Sequence, residues 1–229
     1  MELRGHYKDY WRRMAFREEA QRYRARCLDW YDTKRLNPAE EVVFERVSGA
    51  ARLLDFGAGD LRLKEKFLQA GFRGRYETLD LSEEFPHDYT DIGEVRGRFG
   101  AVLCLEVIEH MPLASFDPTV SALCDLLEPG GTLVLSTPNP LCIVPMWARD
   151  SGHIQQYPLH DLIAYFLSRD FHVEPFRVRL RPPRVSLWRR VRLLAQRVLC
   201  YMLAVDYADG LLLILVKAGG GPRPRAGQR

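Results

Sequence analysis

Two short stretches carry residue types that could do chemistry. In Leu105-Glu106-Val107-Ile108-Glu109-His110, two carboxylates and an imidazole stand at positions i, i+3 and i+4, so one helical turn brings them to one side. Such a set suits a hard divalent ion or acid-base work. In Asp55-Phe56-Gly57-Ala58-Gly59, an apolar strand runs into a glycine turn that opens a helix. Bare backbone and a helix N-terminus then lie at the carboxyl edge of a sheet, where α/β proteins take up nucleoside-containing ligands. A pyrophosphate fit of the GxGxxG kind would want a third glycine where Arg62 stands, which argues against a dinucleotide. Asp80 closes the next strand and is placed to accept hydrogen bonds from a ribose diol.

The elements that must position these residues follow from hydrophobic pattern. Apolar strands are expected over Arg52-Phe56, Tyr76-Leu81, Ala101-Val107, Thr132-Ser136, His172-Leu180 and Leu211-Val216, with a weaker one near His87-Tyr89. Between them lie a helix after Gly59, one over Phe116-Leu127 closed by a Pro129-Gly130-Gly131 turn, and one over Leu159-Leu167. Strands and helices alternating at this spacing predict an α/β protein. The expected architecture is a Rossmann-like three-layer sandwich, its seven-stranded, mostly parallel sheet closed by an antiparallel C-terminal edge hairpin. Ahead of it, residues 1–50 read as leading helices on the substrate side: one or two from Lys8 to Trp30, and one starting at Pro38 behind an Asn37 cap. The α/β core is expected over 51–218, and the Gly-, Pro- and Arg-rich tail 219–229 reads as disordered.

Quoted together, Asp55-Phe56-Gly57-Ala58-Gly59, Asp80, the Glu106 to His110 run, Leu126-Leu127-Glu128-Pro129-Gly130-Gly131 and Ser136-Thr137-Pro138-Asn139 resemble class I S-adenosylmethionine-dependent methyltransferases over roughly Arg52 to Val178. The resemblance implies that Asp55, Gly57 and Gly59 approach the methionine part of the cofactor and that Asp80, with Leu81 after it, takes the ribose. It also implies that Asp91-Ile92 reach the adenine, with Asp88 as the alternative, and that Leu105 stands behind the sulfonium. The family often has a further glycine where Leu61 stands. The closest motif pattern is that of ubiquinone-biosynthesis O-methyltransferases, which share the Glu-x-x-Glu-His run with the small-RNA 2'-O-methyltransferases. In those enzymes a divalent metal is thought to hold the acceptor hydroxyls, and a further histidine follows downstream. His153 is its counterpart here, so Glu106, Glu109, His110 and His153 are the implied ligands of Mg²⁺ or Mn²⁺. Without a metal, His110, Glu109 or His153 would act as the base.

The implied reaction is O-methylation of a small metabolite, quinone precursor or glycan- or lipid-linked acceptor. A small-RNA 2'-O-methyltransferase-like enzyme and an inactive cofactor-binding scaffold are the alternatives. No aromatic stacking motif supports nucleic acid as a partner.

Charge is divided unevenly along the 229 residues. The total is +3, yet residues 53–139 hold seven basic against fifteen acidic residues, a net of −8, and residues 175–229 hold twelve against two, a net of +10. S-adenosylmethionine is net +1 and its demethylated product neutral, so an acidic middle favours the donor. In the basic end an amphipathic helix is expected over 186–205: Leu187, Val191, Leu194, Val198, Met202 and Val205 share one face, and Arg189, Arg190, Arg192, Gln196 and Arg197 the other. It suits peripheral contact with a membrane, a homodimer contact or a lid. At 47% apolar and 28% charged the chain is neither disordered nor fibrous. No apolar run approaches a membrane span, the N-terminus lacks the apolar core of a signal, and five scattered cysteines form no disulfide framework. A cytoplasmic protein, at most peripheral at a membrane surface, is expected.

Overall fold

The computed structural model describes residues 10–142, 148, 150–180 and 206–218, and between the last two spans Trp188, Val191, Leu194, Ala195, Val198, Leu199 and Met202. Two short helices, α1 (Tyr10–Ala15) and α2 (Arg17–Arg22), lead into β1 (Arg26–Trp30). Then come α3 (Pro38–Val47), β2 (Arg52–Phe56), α4 (Arg62–Gln69), β3 (Arg75–Leu79) and β4 (Phe99–Leu105). The chain closes through α5 (Leu113–Asp125), β5 (Leu127–Pro138), α6 (Leu159–Leu167), β6 (Phe171–Leu180) and β7 (Gly210–Lys217).

All seven strands form one sheet in the order β1-β6-β7-β5-β4-β2-β3. β7 is antiparallel to both its neighbours and every other pair is parallel. The sheet is buried on both faces, which is why its central strands read as unbroken apolar runs. In β4, Val102 and Cys104 join a core with α5 and α6, whereas Ala101 and Leu103 join one with α3 and α4. β7 divides likewise, Leu211, Leu213 and Leu215 to the first core and Leu212 and Ile214 to the second. The three-layer sandwich is thus the one expected.

Four expectations are corrected. Cys27 to Trp30 do not continue a leading helix; they form β1, parallel to β6 from Arg26↔Phe176 to Trp30↔Leu180. The cause is tertiary: Leu28 is buried under the sheet and Arg179 bonds Asp29 at 2.8 Å, contacts that helical spacing of Tyr23 and Cys27 cannot report. As a result the β6-β7 hairpin is interior, not at the edge. His87-Tyr89 supplies a single bridge, Leu79↔Tyr89, so the seventh strand is β1. Finally, Pro129-Gly130-Gly131 lies inside β5 as a bulge, with Phe99↔Leu127 followed by Ala101↔Thr132 and Gly130 at φ 77°. Of the helix expected over 186–205 only the seven residues named above are described, and the tail 219–229 lies outside the described residues.

α3 is built as its sequence indicates. Asn37 Oδ1 accepts from the backbone of Ala39 and Glu40, and Glu40 Oε2 accepts from the Asn37 N–H, a complete capping box ahead of Pro38. Ala39, Glu40 and Val43 of this helix and Arg62, Leu63 and Lys66 of α4 line the cavity at which the site lies.

Candidate active site

The glycine turn is fixed by backbone bonds. Gly57 N and Ala58 N both donate to Leu79 O, and Gly57 sits at φ 79°, where a Cβ would fall 2.3 Å from Val107 Cγ2. Only glycine meets both demands. Leu61, at the N-terminus of α4, also holds a left-handed φ of 62°. That conformation explains the glycine common at this position in the resembled family.

Asp80 is built into the same unit. Its Oδ2 accepts from Gly59 N at 2.8 Å and its Oδ1 from Ser82 N at 2.9 Å, leaving one lone pair on each oxygen directed outward. Asp55 is buried, and its Oδ2 accepts from the Tyr76 hydroxyl at 2.7 Å. Burial pushes its carboxyl up to about 6, partly opposed by the Tyr76 bond and reinforced by the Asp80 charge. Leu81 is exposed, and Asp91 caps the 3₁₀ turn Ile92–Glu94 through Gly93 N at 2.7 Å. Asp88, the alternative, instead accepts from the backbone and hydroxyl of Thr78.

At the end of β4 the chain turns sharply. Glu106 adopts φ 55°, an uncommon conformation for a side chain of this kind, and Ser136 at the end of β5 holds it there. Glu106 N donates to Ser136 O and Oγ, while Ser136 Oγ donates to Glu106 Oε1 at 2.6 Å. One residue further, Thr137 Oγ1 donates to Glu109 Oε2 at 3.0 Å. Adjacent residues of β5 thus hold the two glutamates. Burial raises both carboxyls to about 7, with the Glu109 charge adding to the rise at Glu106 and the Asp150 charge to that at Glu109. Glu106 is exposed by surface area and lines the cavity described below.

Glu109 also positions the histidines. Its carbonyl accepts from Ile154 N at 2.9 Å and Gln155 N at 3.1 Å, which pins the Gly152-Gln155 loop over the 3₁₀ turn Ile108–His110. The His110 and His153 rings come to 4.7 Å between centroids, and His153 Nε2 lies 4.0 Å from Glu109 Oε1. Ligand atoms of Glu109, His110 and His153 lie within 4.8 Å of one another, a cluster fit to hold a metal ion. Glu106 is outside that cluster, its Oε1 taken by Ser136.

Glu106, Ser136 and His153, beside Leu105, give polar lining to a cavity of about 490 Å³. Its other walls are mainly apolar: Trp30 after β1, Val43 of α3, Leu63 of α4, Val178 and Leu180 of β6, and Leu212 of β7. Gly57, Gly59, Asp80 and Asp91 do not line it; Asp60 and Leu105 are where the glycine turn and β4 meet it. The structure therefore brings Glu109, His110 and His153 together, with Glu106 beside them. It joins Gly57, Gly59 and Asp80 in a second group, and leaves Leu81 and Asp91 apart from both. Ser136, Thr137 and Tyr76 are the holding residues that the sequence reading missed. The β4–β5 register, which pairs Leu105 with Ser136, brings the hydroxyl to the residue that follows Leu105, and only the folded structure shows it.

Comparison with known proteins identifies the family. A family described as a methyltransferase domain matches residues 10–175. A ubiquinone biosynthesis O-methyltransferase of Xanthomonas axonopodis pv. citri is 33% identical over 151 residues, 53% of this chain and 61% of that protein. The chain thus spans about three fifths of the length of the curated relatives it matches. Among solved structures, a SAM dependent methyltransferase from Archaeoglobus fulgidus has a TM-score of 0.56 at 16% identity, covering 78% of this chain and 94% of its own. An O-methyltransferase family protein from Burkholderia thailandensis has a TM-score of 0.53 at 12% identity, covering 91% and 59%. At such identities these likenesses speak for the fold alone. With a family match over well more than half of its residues, the chain belongs to the methyltransferase-domain family, in the class I form that depends on S-adenosylmethionine.

Proposed function

We propose that the protein transfers the methyl group of S-adenosylmethionine to a hydroxyl oxygen of a small aromatic acceptor of the quinone-precursor kind. The observation that carries this reading is the meeting of two groups at one sheet edge. The glycine turn with Asp80 stands on one side of the β4 end, and the Glu109, His110 and His153 cluster at the mouth of an apolar cavity stands on the other. The relatives named ubiquinone biosynthesis O-methyltransferases support both the oxygen and the acceptor class.

In this reading Asp80 accepts the ribose hydroxyls, and the apolar walls hold the acceptor ring so that its oxygen lies about 3–3.5 Å from the methyl carbon. His110, His153 or Glu109 takes the hydroxyl proton as the oxygen–carbon bond forms and the carbon–sulfur bond breaks. The sulfonium is thereby neutralised. Glu109 Oε1 is buried and receives no hydrogen bond from an N–H or hydroxyl donor among the described residues, and this orphaned oxygen beside two imidazoles fits a divalent cation. Glu109, His110 and His153 would hold it. Mg²⁺ or Mn²⁺ bound there would lower the pKa of the acceptor hydroxyl and fix its direction.

The test pairs binding with turnover. Calorimetry should show S-adenosylmethionine binding that weakens about 10- to 100-fold in Asp80→Ala, from the loss of charge-assisted bonds. Transfer of labelled methyl to catechols should be abolished by chelation and restored by Mg²⁺ or Mn²⁺. Tight cofactor binding without transfer to any hydroxylated aromatic would sink the acceptor assignment. Transfer that ignores the chelator would remove the metal and leave a histidine or Glu109 as the base.

A further inference from the structure

We propose that the helix carried between β6 and β7 seats the protein on an anionic membrane surface. Trp188, Val191, Leu194, Val198, Leu199 and Met202 are helical, recur every three or four residues, and are between 52% and 84% exposed. An amphipathic helix that packs on its own domain buries this stripe; here six large apolar side chains face water.

Charge identifies what covers them. From Pro175 to Val205 there is no acidic residue, and six arginines lie between Arg181 and Arg197. Arg177 and Arg179, on β6 itself, are already paired with Asp206 and Asp29 at 2.8 Å. The arginines beyond Leu180 therefore make up most of the cationic excess. A second copy meeting the helix through a two-fold contact would set a segment rich in arginine and without an acidic residue against itself. An RNA would satisfy the charge and leave the apolar stripe wet. A bilayer with anionic headgroups satisfies both at once, taking the apolar side chains into the acyl boundary and the guanidinium groups at the phosphates. Arg189, Arg190, Arg192 and Arg197 give the segment too many charges to span the hydrocarbon, so in this proposal the helix lies in the surface. The segment leaves β6 at Leu180 and returns at Gly210, and both residues line the cavity. A protein seated this way holds the mouth of its cavity beside the lipid, which suits an acceptor carrying a lipid tail; that last step rests on the proposed methyl transfer.

Flotation of the full chain with vesicles tests the surface without any turnover. The protein should float with vesicles containing phosphatidylglycerol and stay in the dense fraction with phosphatidylcholine alone. Trp188→Glu with Leu194→Glu should weaken partitioning by about tenfold or more. Arg189→Gln with Arg190→Gln should weaken it roughly thirtyfold at low salt. S-adenosylmethionine binding by calorimetry should be unchanged in both, which shows that the domain still folds. Failure of the wild-type protein to float, or flotation that survives the Trp188 and Leu194 changes, overturns the proposal. A dimer in light scattering that Leu194→Glu splits, without flotation, assigns the face to a second copy instead. Flotation together with absent methyl transfer would leave the surface standing and count only against the proposed function.

Discussion

Tyr76 and Asp55 show how a single buried acid can be set against the stability of its own fold. Asp55 ionises near 3.8 in an unfolded chain and near 6 in the folded one, because burial penalises the carboxylate more than the Tyr76 bond rewards it. Below about pH 4 both states hold the proton and the group costs nothing. As pH rises from about 4 to 6 the unfolded chain releases its proton first, and stability falls by about 3 kcal/mol, then levels off. Asp55→Asn should thus match the wild type in urea unfolding near pH 4 and exceed it by a few kcal/mol near pH 8. Equal stabilities at both pH values would mean that Asp55 is not desolvated. Leu61 is a second local cost, being a β-carbon residue at φ 62°. Leu61→Gly should add about 1 kcal/mol, a rise of about 2–4 °C in the thermal midpoint.

Between elements, precision depends on loops held by single backbone bonds. The Gly152-Gln155 loop hangs from the Glu109 carbonyl, and a Cβ on Gly152 would lie 3.0 Å from His110 Nδ1. Gly152→Ala should therefore displace the imidazole and lower methyl transfer about tenfold, with an unchanged thermal midpoint, since the loop lies off the core. A midpoint that drops together with activity would show that the effect is general unfolding. The same scale explains what pattern could and could not show. Central strands and α6 were legible because their side chains are apolar at the right period over enough residues, Leu159–Leu167 to the residue. β1 was not, since five residues with one buried side chain carry too little period, and pairing with β6 decides them.

For the whole molecule, charge is arranged by region. Residues 53–139, which include the glycine turn, Asp80 and the Glu106 to His110 run, carry a net −8, and the +10 lies in the C-terminal stretch. S-adenosylmethionine should bind more tightly than its neutral demethylated product. The ratio of the two affinities should fall toward one between about 0.05 and 1 M salt, as screening shortens to about 3 Å. A ratio indifferent to salt would assign the preference to direct contacts alone.

Sequence alone determined the strand and helix alternation, the glycine turn with Asp80 and the Glu106 to His110 run, because each rests on local spacing or on residue type, whereas His153 entered through the family resemblance. Only the tertiary structure decided that β1 closes the sheet, that the hairpin is interior, and that Ser136 and Thr137 hold the two glutamates. These depend on strands distant in the chain lying 4.7–4.9 Å apart, a relation that hydrogen-bonded pairing creates and no local pattern encodes.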